Sequence, residues 1–156
     1  MGRVAFAHLQ KAKVDCDWID ISELDLPLCD ADKCYLNAAA LKLRETITAA
    51  DGVIIAAPVY NFDVSAAAKN MIELTGKAWA DKVIGFLCAA GGVSSYMSVM
   101  AYANSLMLDF RCVVIPRFVF ATGDAFDDDK LTDRKIEERI EQVADELVRF
   151  TKALRG

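Results

Sequence analysis

The sequence predicts an α/β fold with a mostly parallel sheet, and three observations predict it. Val53-Ile54-Ile55-Ala56-Ala57 and Lys82–Ala89 are short, nearly continuous apolar runs. Such runs suit strands buried on both faces, as in a parallel sheet. Between the strand-like runs lie stretches with apolar residues at helical spacing, so strands and helices alternate.

Composition narrows the class. At 156 residues the chain has a single-domain length. A hydrophobic share of 54% against 26% charged residues argues for a packed core and not for disorder. A net charge of −5 disfavours nucleic acid and anionic membrane surfaces as partners, because both would repel the chain. No run reaches a membrane span and no signal-peptide core is seen, so a cytoplasmic setting without membrane attachment is expected. The five cysteines, Cys16, Cys29, Cys34, Cys88 and Cys112, are scattered and odd in number, which argues against a disulfide framework. One histidine and no paired cysteine motif leave no expected metal site.

Gly2–Lys13 reads as a helix with Ala5, Leu9 and Ala12 on one side. Val14–Ile21 alternates apolar and polar residues, as an edge strand does. Ser22–Lys33 is a connection, and Asn37–Ala50 is a helix with Ala40, Leu43 and Ile47 inward. Asp51-Gly52 opens the strand Val53–Ala57, and Pro58 is expected to end it because proline donates no ladder bond. After the loop Val59–Asp63, Ser65 is an expected N-cap, with Ala67, Met71, Leu74 and Ala78 at helical spacing. The strand Lys82–Ala89 leads into the loop Ala90–Ser94, which holds two glycines. Ser95–Phe110 is a helix with apolar residues on too many sides for one inward stripe. Cys112–Val119 reads as a strand and Phe120–Asp129 as a loop. Thr132 is the expected cap of a last helix with Ile136, Ile140, Val143, Leu147 and Leu154 on one face. The reading gives four strands and five helices.

Ligands of open α/β sheets bind beyond the carboxyl ends of the strands. Two loops stand there: Pro58, Val59, Tyr60 and Asn61, and Ala90, Gly91, Gly92 and Val93. The stretch Ala50–Asn61, followed by Ser65, Lys69-Asn70 and Glu73, resembles the NADPH-dependent FMN reductase family. Ala90-Gly91-Gly92 is similar to that family's second flavin loop, and Leu24-Asp25-Leu26-Pro27 to the stretch after its second strand. The resemblance implies a flavodoxin-like three-layer sandwich. It implies an NAD(P)H-dependent reductase using FMN with NADPH or NADH, and quinone, azo or other small acceptors. It also implies a homodimer or homotetramer. Its cofactor-binding residues would be Pro58, Val59, Tyr60, Asn61, Ala90, Gly91, Gly92 and Val93, with no catalytic side chain and no metal.

That assignment is chemically coherent. An isoalloxazine ring needs an apolar planar slot, which Pro58, Val59 and Tyr60 could wall. Asn61 could hold the turn by bonding backbone groups. Backbone N–H groups of Gly91, Gly92 and Val93 could stabilise charge near the ring's N1 and C2 carbonyl. The two loops are expected to face each other across one cleft.

Other residues have plain readings. Lys69 reads as a half-solvated helix residue bracing the loop, and His8 as a surface residue. Cys88 reads as a small core residue, and Cys29 and Cys34 as incidental loop thiols. The family's first strand and phosphate-binding Ser/Arg/Asn loop have no counterpart here, so the expectation is a truncated or remodelled member, with Arg3 alone near the phosphate. Two functions follow: a flavin-dependent oxidoreductase, or a non-catalytic flavodoxin-like oligomeric scaffold that has lost tight FMN binding. Ala68 and Ile72, off the main stripe of their helix, and the many-sided helix Ser95–Phe110 are expected to bury their surplus in a dimer interface.

Overall fold

The structure, a computed structural model, describes residues 1–155. Five α-helices are present: α1 (Gly2–Lys11), α2 (Ala38–Ala49), α3 (Ala66–Thr75), α4 (Val99–Phe110) and α5 (Arg134–Arg155). The main sheet holds β1 (Gly52–Tyr60), β2 (Asp63–Val64), β3 (Val83–Ala90), β4 (Val113–Val114) and β5 (Val119–Thr122). β1 lies parallel to β3, in register from Gly52 against Val83 to Val59 against Ala90. β4 and β5 both add in parallel to the far edge of β3, while β2 folds back antiparallel on the end of β1. A small hairpin, β6 (Phe126–Asp127) with β7 (Lys130–Leu131), precedes α5.

The strand periodicity of two sorts side chains onto two faces. Ile55, Ala57, Ile84, Phe86 and Cys88 join Leu43 and Ile47 of α2, Met71 and Ile72 of α3, and Tyr102 and Leu106 of α4 in the larger core. On the opposite face Leu87 and Val119 pack with Ala5 of α1 and Ile140 and Val143 of α5. Trp79 is fully buried, and its indole N–H donates to Thr75 Oγ1 at 2.7 Å. Tyr102 donates its hydroxyl to Ala68 O at 2.9 Å, which satisfies the one polar atom of a buried ring.

Helix ends follow local chemistry. Ser65 accepts from Ala68 N–H as the expected cap, and Asn37, read as the first residue of its helix, instead caps α2 by accepting from Ala40 N–H. At α5 the cap is Asp133, whose Oδ1 accepts from Lys135 and Ile136 N–H; Thr132 instead donates to Ala125 O. Leu154 lies outside the buried stripe of α5 and is exposed.

Four expectations are corrected. Val14–Ile21 forms no strand, since no neighbouring strand supplies a ladder among the described residues. Trp18 turns instead onto Phe6, with ring centroids 5.7 Å apart. Pro58 does not end β1: its carbonyl accepts from Ser65 N–H at 2.9 Å, on the edge away from β3. The missing proline N–H therefore removes no β1–β3 bond. The expected strand Cys112–Val119 is broken into β4 and β5 by Pro116 and by Arg117 at φ +62. The region from Phe120 is not all loop, since β5 continues to Thr122 and a hairpin follows.

Ala68 and Ile72 are also buried within this chain, because α4 and the sheet cover that side of α3, whereas Ala67 faces solvent. The surplus apolar surface thus belongs to the second helix and its approach, at Met97, Met100 and Leu108.

A packing requirement at Gly85 was not read from the sequence. A Cβ there would come within 2.9 Å of Val143 Cγ1 on α5. Gly85→Ala is expected to destabilise the fold by about 1–3 kcal/mol, the usual cost of overpacking. Thermal or urea unfolding of the variant measures it.

Candidate functional site

β1 and β3 are hydrogen-bonded neighbours, and both loops leave their carboxyl ends. The structure thus brings Tyr60 and Gly91 to one end of one strand pair. The first loop is a two-residue hairpin turn. Val59 faces Val64 and Tyr60 faces Asp63, leaving Asn61 and Phe62 at φ +50 and +63. Both turn positions are left-handed, the geometry that matches the twist of a tight hairpin. Asn61 is suited to its position by that conformation; the side-chain bond in the turn comes from Asp63, which accepts from Val64 N–H at 2.7 Å. Phe62 is strained there, so Phe62→Gly is expected to raise stability by about 0.5–1 kcal/mol, read as a higher unfolding midpoint.

The turn sends its aromatic rings outward: Tyr60 is 63% exposed and Phe62 66%. Pro58 is exposed beside them. Val59 points the other way, into the core against Val64, so it can offer only its backbone.

In the second loop Ala90 is half-buried, while Gly91, Gly92 and Val93 are exposed. Gly92 is extended at φ −163, and a Cβ on either glycine would meet nothing within 4 Å. Gly91 and Gly92 follow Ala90, the last residue of β3 paired with β1, and both are exposed. Ser95 donates to Gly92 O at 3.1 Å and steadies the turn.

Tyr96 anchors the same loop. Its ring stacks on Phe118 at 4.9 Å and meets Phe120 edge-on at 5.4 Å. Ser98 Oγ is buried without a partner, an uncommon condition for a hydroxyl. Thr122, paired with Ala90, ends β5 on the same rim, and its hydroxyl donates to Asp124. The Tyr96–Phe118–Phe120 cluster and the β5 rim were not legible in the sequence, because β5 begins only after the break at Pro116 and Arg117.

The surroundings are an open ledge and not the enclosed slot expected. A concavity of about 600 Å³ lies elsewhere, between α3 and the end of α4, lined by Lys69, Glu73, Lys77, Asp109 and Arg111 among others. Lys69 pairs with Glu73 at 2.8 Å. Asn70 has a structural duty: it accepts from Cys29 N–H and donates to Pro27 O, both at 2.9 Å, and so ties the 27–29 loop to α3. Arg3 is held 5.0 Å over the Trp18 ring. His8 lies against Asp145 at 2.8 Å, joining α1 to α5. Cys88 is fully buried, and desolvation pushes its thiol up to about 12, which rules against a nucleophile. Among the described residues no cluster of ligands could hold a metal ion, and no helix is long and apolar enough to cross a membrane.

Comparison with known proteins points the same way. The chain is 27% identical over 147 residues to an NAD(P)H-dependent FAD/FMN reductase of Geobacillus thermodenitrificans, covering 92% of this chain and 80% of that protein. It is 31% identical over 149 residues to an NADPH:quinone oxidoreductase of Arabidopsis thaliana, covering 90% and 76%. The fold matches the flavoenzyme NAD(P)H:(acceptor) oxidoreductase FerB of Paracoccus denitrificans with a TM-score of 0.77 at 20% identity, over 97% of this chain and 87% of that one. A WrbA-like flavodoxin of Agrobacterium tumefaciens matches with a TM-score of 0.66 at 16% identity, over 97% and 89%. The profile of the NADPH-dependent FMN reductases matches residues 1–127, and the chain belongs to that family of flavin oxidoreductases, with a flavodoxin-like fold.

Proposed function

We propose that this chain is an NAD(P)H-dependent FMN reductase that passes electrons on to a small quinone, azo or flavin acceptor. The observation that carries the reading is the placement of exposed Tyr60 and Pro58 beside the exposed Gly91-Gly92 turn, at adjacent strand ends.

The ring end of FMN fits these groups. Its chemistry, when bound, is to take a hydride from the nicotinamide and deliver electrons to the acceptor. The protein's share is placement. Tyr60 offers an aromatic face and Pro58 an apolar edge, and their exposure lets a planar ring approach without rearranging the core. The Gly91 and Gly92 N–H groups would donate to the ring's electron-rich edge, and Val93 would add a third backbone donor. Backbone donors fixed by a strand end need no reorganisation when charge develops. Asn61 sets the turn that presents Tyr60. No side-chain acid or base is required.

The phosphate end fits less well. Arg3, the one cation expected near the phosphate, is committed to Trp18. This observation favours the second reading, a flavodoxin-like scaffold with weakened FMN binding. We further propose a homodimer built on exposed Met97, Met100 and Leu108, acting in a reducing cytoplasm where the thiols stay free. Leu108→Glu is expected to shift the protein to monomer in sedimentation at micromolar concentration.

The direct test is NADPH and NADH oxidation by the purified protein over a titration of added FMN. Turnover that saturates with FMN supports the reductase; no turnover at any FMN concentration leaves the scaffold.

A further inference from the structure

We infer that Cys29 and Cys34 form a peroxide-oxidisable pair that closes to an intramolecular disulfide. The two sulfurs stand 3.8 Å apart, with Cys34 donating toward Cys29. Asp30 folds the intervening loop: its Oδ1 accepts from Asp32 N–H at 2.9 Å and from Cys34 N–H at 3.0 Å. Asn70 fixes the other end through Cys29 N–H. The loop that carries the two thiols is thus pinned at both ends by hydrogen bonds from its backbone to the Asp30 and Asn70 side chains.

The two sulfurs have different environments, as an attacking and a resolving thiol require. Cys29 is half-buried, and its Sγ lies 3.6 Å from Tyr35 Oη. Hydrogen bonds from Tyr35 and the backbone of Ala31 hold its thiol below the ordinary value. Cys34 is 3% exposed among Ala40 and Leu74, and burial pushes its thiol up. The other cysteines are poorer targets. Burial raises all three, with Asp15 and Asp17 also acting on Cys16, and Cys112 is bonded to Trp79 O. Cys29 is itself only half-buried, which gives a small oxidant access, while an open groove of about 510 Å³ lined by Pro27, Asp30, Lys33, Cys34, Leu36 and Asn37 borders the resolving thiol.

The oxidant is hydrogen peroxide. The Cys29 thiolate attacks one peroxide oxygen, the O–O bond breaks, and hydroxide leaves to take up a proton as water. The product is the Cys29 sulfenic acid. Cys34 sulfur then attacks Cys29 sulfur, the S–O bond breaks, and hydroxide leaves with the Cys34 proton as a second water. Two thiols have lost two electrons and one peroxide has gained them. A small dithiol restores the pair.

Trypsin gives a clean readout because Lys33 lies between the two cysteines. The reduced whole protein, in a Cys16→Ser background, is treated with one equivalent of hydrogen peroxide, alkylated and digested. The expected result is a dithiothreitol-sensitive link between the Cys29 peptide and the peptide that starts at Cys34. Cys29→Ser should abolish it. Cys34→Ser should trap a dimedone-reactive sulfenic acid at Cys29. Tyr35→Phe should slow oxidation by about three- to tenfold, through a smaller thiolate fraction. Equal oxidation of Cys29→Ser, or alkylation of Cys29 and Cys34 undiminished by peroxide, overturns the inference.

Discussion

Gly91→Pro lowers FMN-dependent NADPH oxidation by about 10²–10³-fold, while Gly91→Ala leaves it within about twofold; steady-state kinetics at saturating FMN are expected to show this contrast. The variants differ in one group. Alanine keeps the N–H, and its Cβ meets nothing within 4 Å. Proline removes the N–H. A single preorganised donor to developing charge is worth about 2.7–4 kcal/mol in other oxyanion-type sites. Ala90 ends β3 in the extended conformation that a residue before proline prefers. Circular dichroism should show both variants folded. Equal activities would remove the Gly91 N–H from the mechanism while leaving Tyr60 to be tested on its own.

FMN is expected to bind this chain with micromolar or weaker affinity, and reductase activity is expected to rise steeply as flavin is added. In the proposed reading the ledge holds the ring, while Arg3, the cation expected near the phosphate, lies over Trp18. Each charge-assisted hydrogen bond contributes about 1.5–3 kcal/mol, so two such bonds amount to about two to four orders of magnitude in the dissociation constant. Tyr60→Ala should weaken binding by a further tenfold or so, since stacking a planar base on an aromatic ring is worth about 1–3 kcal/mol. Tyr60 is 63% exposed, so its removal should leave the unfolding midpoint unchanged. Isothermal titration with FMN is the measurement. A nanomolar dissociation constant would mean that the phosphate has an anchor outside these loops.

Much of the site's skeleton was legible because it depends on local chemistry. The apolar run at Val53–Ala57, the Ser65 cap and the Gly91-Gly92 turn are signalled by residues within a few positions of themselves. Misreadings arose where a local signal met a distant partner. Pro58 reads as a strand end, yet the strand continues because the proline's bonding edge faces Ser65 and not β3. Val59 reads as a wall of the ligand slot, yet the strand alternation that exposes Tyr60 turns Val59 inward onto Val64. Val14–Ile21 has a strand's alternation, but alternation without a ladder partner makes no strand.

By itself the sequence determined the alternating α/β order, the two apolar strands at the centre and the family to which their loops belong. Periodicity and turn chemistry are short-range properties, and the Pro-Val-Tyr-Asn and Gly-Gly motifs each occupy a few consecutive residues. Only the tertiary structure decided what stands beside what. It set β1 next to β3 so that Tyr60 and Gly91 share one rim. It folded Tyr96 onto Phe118 and Phe120. It required a glycine at position 85 under Val143. It also brought the Cys29 and Cys34 sulfurs within 3.8 Å through Asp30 and Asn70. These are relations between surfaces far apart along the chain, fixed by packing and hydrogen bonds that no local pattern encodes.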